Sequence, residues 1–457
     1  MKGSGNSCPN CNEKNTRRDI RVHFVSKLAA IDTSERDRAL LELEKERTEM
    51  REAQLRLTEL NVRLKLQQEK IDQLESDNRR YRERGGELPA QSLVRQRTGG
   101  GAGGGPGLRL VYVRKHEVCR PSSERDKACR VLAFSEFQGM MVISQPSANP
   151  LFPGFGARRF NMLDQKLGNF VSLGREVIRD LVFHPVTSEL LLSVGQEKVV
   201  RVTNMQSCSE VVRFTTDCEV WAAAWSEAPG HNMFYLGTKR SQVLVHNINQ
   251  PGSEPVVLSF PVVERRPIIS LVAVPACPAA GLNMPGLLVL TLGSLWFWEH
   301  KTDNTFTPHR LNTPAGKTFW SLQYQPDTRL ILLVCRPCPL ASHIVMELSS
   351  TILPTGKAVT ANTIMTVQGG SYNARSFLRS CLILASQEEG RVVMAYPRGT
   401  GAGDIKVVLQ EVPTGRIVQE VGIGKPVLDI KVTSINSEKY LAILGETDLN
   451  MYKLETN

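Results

Sequence analysis

From Leu108 onward, apolar and polar positions alternate with a period of two, in short runs separated by turn residues. The stretch "VIRDLVFHPVTSELLLSVGQEKVVRVTNM" predicts strands at Ile178–Phe183, Leu190–Val194 and Lys198–Thr203, with "HPVTSE" and "GQEK" as turns; "EVVRFTT" adds a fourth. The pattern restarts at "EVWAAAW", "PIISLVAVP", "TFWSLQYQP", near "NARSFLRSCLILAS" and at "PVLDIKVTS", and an earlier copy begins at "ACRVLAFSEFQGMMVIS". Seven starts at intervals of roughly 45 to 55 residues predict an all-β, seven-bladed WD-type β-propeller over residues 108–457. The last unit supplies only "VLDIKVT", "YLAILG" and "LNMYKLE". The run "LRLVYVRKHEV", residues 108–118, has no blade of its own, so it is expected to complete that sheet and close the ring. No Trp-Asp dipeptide ends the third strands; "VRVTNM", "VLVHNI", "LWFWEH" and "VVMAYP" are assigned to those places.

Ahead of the propeller the period changes. Residues 28–82 hold no Gly or Pro and place Leu43, Met50, Leu57, Leu64, Ile71 and Asn78 at a seven-residue interval. This predicts an α-helical coiled coil, with Glu42 facing Arg47 and Lys70 facing Glu75 across a parallel pair, and hence self-association. Residues 83–107 are Gly-rich and read as a flexible linker.

Composition narrows the function classes. A net charge of +10 suits acidic partners or work near nucleic acid, but no dense basic block is interleaved with aromatics. Direct nucleic-acid binding therefore ranks last, and contact with it is expected mainly through a partner. The longest apolar run, "GLLVLTLGSLWFW", is shorter than the roughly 20 residues of a membrane helix, so no membrane role is expected. Ten scattered cysteines and no apolar leader suggest a reduced, intracellular setting. "CRPC", Cys335 to Cys338, ends a predicted strand and reads as a coincidence rather than a redox motif. His184 reads as a turn-binding histidine. No catalytic triad or phosphate loop can be assembled, so no catalytic residue is assigned.

One feature points to a metal. Cys8 and Cys11 have the spacing of a zinc knuckle, yet a structural zinc needs four ligands. The order of parts then matters: "CPNCNEKNTRRDI" and "LAAIDTSERDR", a coiled coil, a linker, and a propeller with "CRVLAFSEFQGMMVISQPS", "LFPGFG", "FWEHK" and "KPVLDI". Over almost the whole chain this resembles the RING finger and WD repeat domain protein 3 family of ubiquitin ligases. The resemblance makes Cys8 and Cys11 the final ligand pair of a zinc-binding RING finger, so residues 1–27 are expected to be a C-terminal RING remnant. Six preceding ligands of the family pattern are not in this sequence, so the chain resembles a member cut within its RING, with no stable zinc of its own. For the full-length family the resemblance implies nuclear ubiquitin ligase activity in the DNA damage response, in interstrand-crosslink repair and at stalled forks. It implies a ubiquitin-conjugating enzyme bound by the RING, replication protein A on single-stranded DNA as recruiter, and a strand-exchange recombinase as substrate. The alternative is a non-catalytic propeller and coiled-coil scaffold for protein–protein interaction.

Overall fold

The computed structural model of the chain describes residues 108–456, apart from 120–128, 150, 152, 228–231, 263, 302–304, 339, 354–355, 372–377, 387–388 and 401–402. The RING remnant with Cys8 and Cys11, the coiled coil at 28–82 and the linker at 83–107 lie outside the described residues. Among the described residues, twenty-eight strands form seven four-stranded antiparallel sheets, and each sheet is a blade. The innermost strands of blades 1 to 7 are Leu132–Ser135, Ile178–Phe183, Val220–Trp225, Ile268–Val274, Phe319–Gln325, Cys381–Ser386 and Val427–Ile435.

The apolar runs become central strands because both faces of a blade are covered by its neighbours. Gly286–Thr291, Leu295–His300 and Leu330–Cys335 are buried at every position. A separate apolar layer fills each of the seven seams between blades. One example is Leu290, Phe297, Phe319 and Leu333 between blades 4 and 5, and another is Leu192, Val202, Trp225 and Phe234 between blades 2 and 3. The seam between blades 7 and 1 is as apolar as the rest, with Leu132, Met141, Phe160, Leu444 and Met451 at 0 % exposure.

Blade 7 closes the ring as the strand count predicts. Leu108–Glu117 pairs antiparallel with Asp448–Thr456, from Leu108 opposite Thr456 to Glu117 opposite Asp448. Asn436 and Ser437, both at positive φ, turn the first two strands of this blade into a tight hairpin.

Blade 6 corrects one assignment. "VVMAYP" belongs to Arg391–Arg398, the second strand, and the third is Lys406–Val412. The first strand starts only at Cys381, so counting from "NARSF" slips the order by one. The other three assigned third strands stand where expected, at Val199–Asn204, Val243–Asn247 and Leu295–His300.

Candidate functional site

The first turn of each inner strand carries a recurring triplet. Its members, blade by blade, are Cys129-Arg130-Val131, Ile178-Arg179-Asp180, Val220-Trp221-Ala222, Ile268-Ile269-Ser270, Phe319-Trp320-Ser321, Leu378-Arg379-Ser380 and Val427-Leu428-Asp429. The first residue of each is buried in a seam. In blades 2, 3, 4, 5 and 7 the pairing register skips the middle residue, which is a β-bulge. A bulge turns its extra side chain out of the ladder. The bulged Arg179, Trp221, Ile269 and Trp320, with Arg130 and Arg379 from the equivalent places in blades 1 and 6, surround one narrow opening. Beyond it the inner strands enclose a cavity of about 310 Å³, with Asp180, Ser270, Ser321, Ser380, Asp429 and Lys431 on its wall.

The third residues tie neighbouring blades together. Asp180 Oδ2 accepts the Ala223 amide at 3.2 Å, and Asp429 Oδ2 accepts the Leu132 amide at 2.8 Å. Ser321 Oγ donates to the Leu378 carbonyl at 2.7 Å. Arg379 crosses from blade 6 to blade 2, with Nη1 3.0 Å from Asp180 Oδ1 and Nη2 donating to the Arg179 carbonyl at 3.2 Å. Burial alone would pull the Arg379 guanidinium down, but Asp180 and Asp429 outweigh it and keep it firmly charged. Asp429 is fully buried, and that burial pushes its carboxyl up despite the attraction of Arg379 and Lys431. At the rim, Arg179 lies over the Trp221 ring, 4.4 Å from its centroid. Trp221 Nε1 is held by Glu219, which is itself paired to Lys239 at 2.8 Å.

Chemically, this opening gathers three guanidinium groups, one of them (Arg379) already paired to Asp180, beside the partly exposed Trp221 indole and the buried Trp320. It suits recognition of an acidic surface bearing apolar or aromatic groups. Among the described residues, no group of three or more His, Cys, Asp or Glu side chains could hold a metal ion. His184 Nδ1 accepts the amides of Val186 and Thr187, at 3.1 and 2.8 Å, which is a turn-binding role. Cys335 closes a strand with its thiol pushed up to about 11 by burial, while Cys338 is exposed. Sequence reading missed the channel residues. The signal was present as the repeated apolar–large–small triplet at each blade start.

The comparisons agree with this architecture. A family model described as the WD40 domain of the E3 ubiquitin-protein ligase RFWD3 matches residues 120–453. The chain is 28 % identical over 469 residues to E3 ubiquitin-protein ligase RFWD3 of Mus musculus and 26 % identical over 467 to that of Homo sapiens; each alignment covers 100 % of this chain and 59 % of the relative. The chain thus spans about three-fifths of the length of these relatives. Among solved structures, the β-propeller domain of Myceliophteria thermophila Cps50 (Swd1) superposes with a TM-score of 0.55 at 13 % identity, covering 76 % of this chain and 100 % of that one, a likeness of fold alone. With a family model covering most of its propeller, the chain belongs to the RFWD3 family of E3 ubiquitin-protein ligases.

Proposed function

We infer that the propeller is the recruiting module of a RING-type ubiquitin-protein ligase of the DNA damage response. Its channel mouth captures replication protein A on single-stranded DNA in the nucleus, in interstrand-crosslink repair and fork processing. The observation that carries this reading is the grouping of Arg130, Arg179 and Trp221 at the opening, with Arg379 behind them. Guanidinium groups attract an acidic partner at range and then bind carboxylates directly, while the Trp221 indole supplies contact area that is desolvated on binding. Catalysis falls to the RING, which holds a charged ubiquitin-conjugating enzyme in a reactive pose; that is a positioning effect. Cys8 and Cys11 would serve its second zinc together with ligands outside this sequence. The coiled coil at 28–82 would pair two chains, and a strand-exchange recombinase on the same filament would be a substrate.

Replication-protein-A-coated single-stranded DNA should retain the chain, and naked DNA should retain it weakly, with binding that fades as salt rises. Trp221→Ala combined with Arg130→Glu should weaken capture at least about tenfold, the scale of losing one interface anchor. The variant's melting temperature should stay near wild type. Unchanged capture would place the recruiting surface elsewhere. The second reading is a non-catalytic scaffold, favoured by Cys8 and Cys11 supplying only half the ligands of a structural zinc. A chain-formation assay with charged conjugating enzyme separates the two. The 457-residue chain should be inactive, and the same chain extended by a complete RING should be active. Failure of the extended chain as well would favour the scaffold.

A further inference from the structure

Cys119 and Cys129 lie ten positions apart, with their Sγ atoms 3.6 Å from each other. They flank the point where the chain leaves the closing strand of blade 7 and enters the inner strand of blade 1. Their backbones are pinned to one turn. The Cys119 amide donates to the Thr447 carbonyl at 3.3 Å, and the Cys129 amide to the Glu446 carbonyl at 2.9 Å. Cys129 is fully buried, whereas Cys119 is half-buried and within reach of a small solute. Two thiols in van der Waals contact, each beside a main chain bonded to the same turn, are placed to close the remaining gap to a bond.

We propose that Cys119 and Cys129 form a reversible disulfide on exposure to a hydroperoxide, and that this bond locks blade 7 to blade 1 across the closing seam. The Cys119 thiolate attacks the peroxide O–O bond and becomes a sulfenic acid, and the leaving alkoxide or hydroxide takes a proton. The Cys129 sulfur then attacks the Cys119 sulfur, the S–O bond breaks, and the Cys129 proton leaves with the hydroxide as water. Two thiols lose two electrons in total, and the peroxide is reduced to an alcohol, or water, plus water. The order of events follows from the surroundings. The hydrogen bond from Cys129 lowers the Cys119 thiol, and the same bond together with burial raises Cys129, so the less buried partner is the nucleophile.

The test uses the full chain carrying Cys208→Ser and Cys338→Ser, which removes the two exposed thiols of the propeller. It is treated with hydrogen peroxide, denatured, alkylated with iodoacetamide and digested with trypsin, which cuts between the two cysteines. A peptide containing Cys119 linked to one containing Cys129 is expected. The melting temperature should rise by about 2 to 4 °C, because the bond restrains the unfolded chain, and dithiothreitol should reverse both effects. Adding Cys119→Ser should remove the link and the rise while leaving the untreated melting temperature within about 1 °C, as befits a half-buried position. Equal alkylation of both cysteines with and without peroxide would overturn the proposal. So would oxidation of Cys119 that stops at sulfinic acid without a link.

Discussion

Blades 5 and 7 have the same four-stranded architecture but differ in how the outer strand is held. In blade 5 the outer strand Gly356–Gln368 follows Ser342–Leu353 directly along the chain, and the two pair from Ser342 opposite Gln368 to Leu353 opposite Gly356. In blade 7 the outer strand comes from the other end of the propeller sequence, and no turn joins it to its partner. Side chains stand in for the missing covalent link. Gln419 of blade 6 grips both backbone groups of Leu110: its Oε1 accepts the Leu110 amide at 2.7 Å, and its Nε2 donates to the Leu110 carbonyl at 3.1 Å. Leu108, Leu110 and Val118 are buried, at 5 %, 4 % and 3 % exposure. Lys115 bridges to Asp448 at 2.9 Å, and the Val118 amide donates to the Thr447 carbonyl at 2.9 Å. A strand joined to its partner by adjacent sequence needs little else, whereas a strand arriving from a distance is fixed by packing and by specific clamps.

The largest expected effect removes that strand. A protein of residues 108–457 should melt cooperatively, while one of residues 119–457 should lose most of its stability. Three buried side chains at about 2 kcal/mol each come to about 6 kcal/mol, and the edge of Asp448–Thr456 is left unpaired in addition. That sum is comparable with the whole stability of an ordinary domain. Thermal unfolding monitored by circular dichroism decides it, and equal melting temperatures would show that the closing strand is dispensable.

A smaller effect is expected at the clamp. Gln419→Ala should cost about 1 to 3 kcal/mol, because it strips the partner from a half-buried amide and carbonyl at once. The matching change in blade 5 is Ser349→Ala, which loses one long bond of 3.3 Å to Thr360. It should cost about 0.5 kcal/mol or less. Urea titration of both variants tests the contrast; similar losses would mean that the two outer strands are held alike.

Much of this contrast could be foreseen. Alternation with period two marks the strands, and an incomplete last unit beside an unassigned strand at Leu108 implies ring closure. What escaped depends on contacts between distant residues. Gln419 and Leu110 are separated by 309 positions, and Arg379 and Asp180 by 199, so no local pattern announces either pair. The channel mouth was half visible, since each blade start carries its triplet, but that a bulge turns the middle residue inward is a property of the folded sheet. In blade 6 the pattern misled: apolar residues ahead of Cys381 resemble the start of a strand and displaced "VVMAYP" by one place. Cys119 and Cys129 show no metal or redox spacing and become a pair only because one turn of blade 7 holds both.

The smallest effect sharpens the comparison at a charged contact. Asp448 is 2 % exposed and meets both Lys115, at 2.9 Å, and Lys425, at 3.0 Å; the two lysine side chains are 41 % and 56 % exposed. Burial pushes the Asp448 carboxyl up, but the hydrogen bonds and attraction of the two lysines outweigh it and hold the group below the usual carboxylate range. Its folded value is therefore depressed relative to the unfolded chain. The stability it contributes is present above the ordinary carboxylate range and is lost as pH falls through the folded value. Because both lysines keep water contacts, Asp448→Asn should cost only about 1 kcal/mol at neutral pH, and Lys115→Met about 0.5 kcal/mol or less. The double variant should cost less than the sum, since either change alone breaks the Lys115 bridge. Measured across pH, the gap between wild type and Asp448→Asn should narrow on acidification and close once Asp448 is protonated in both states. A gap that stayed constant to low pH would mean that Asp448 acts through packing rather than charge, and that the clamp on the closing strand rests on Gln419 alone.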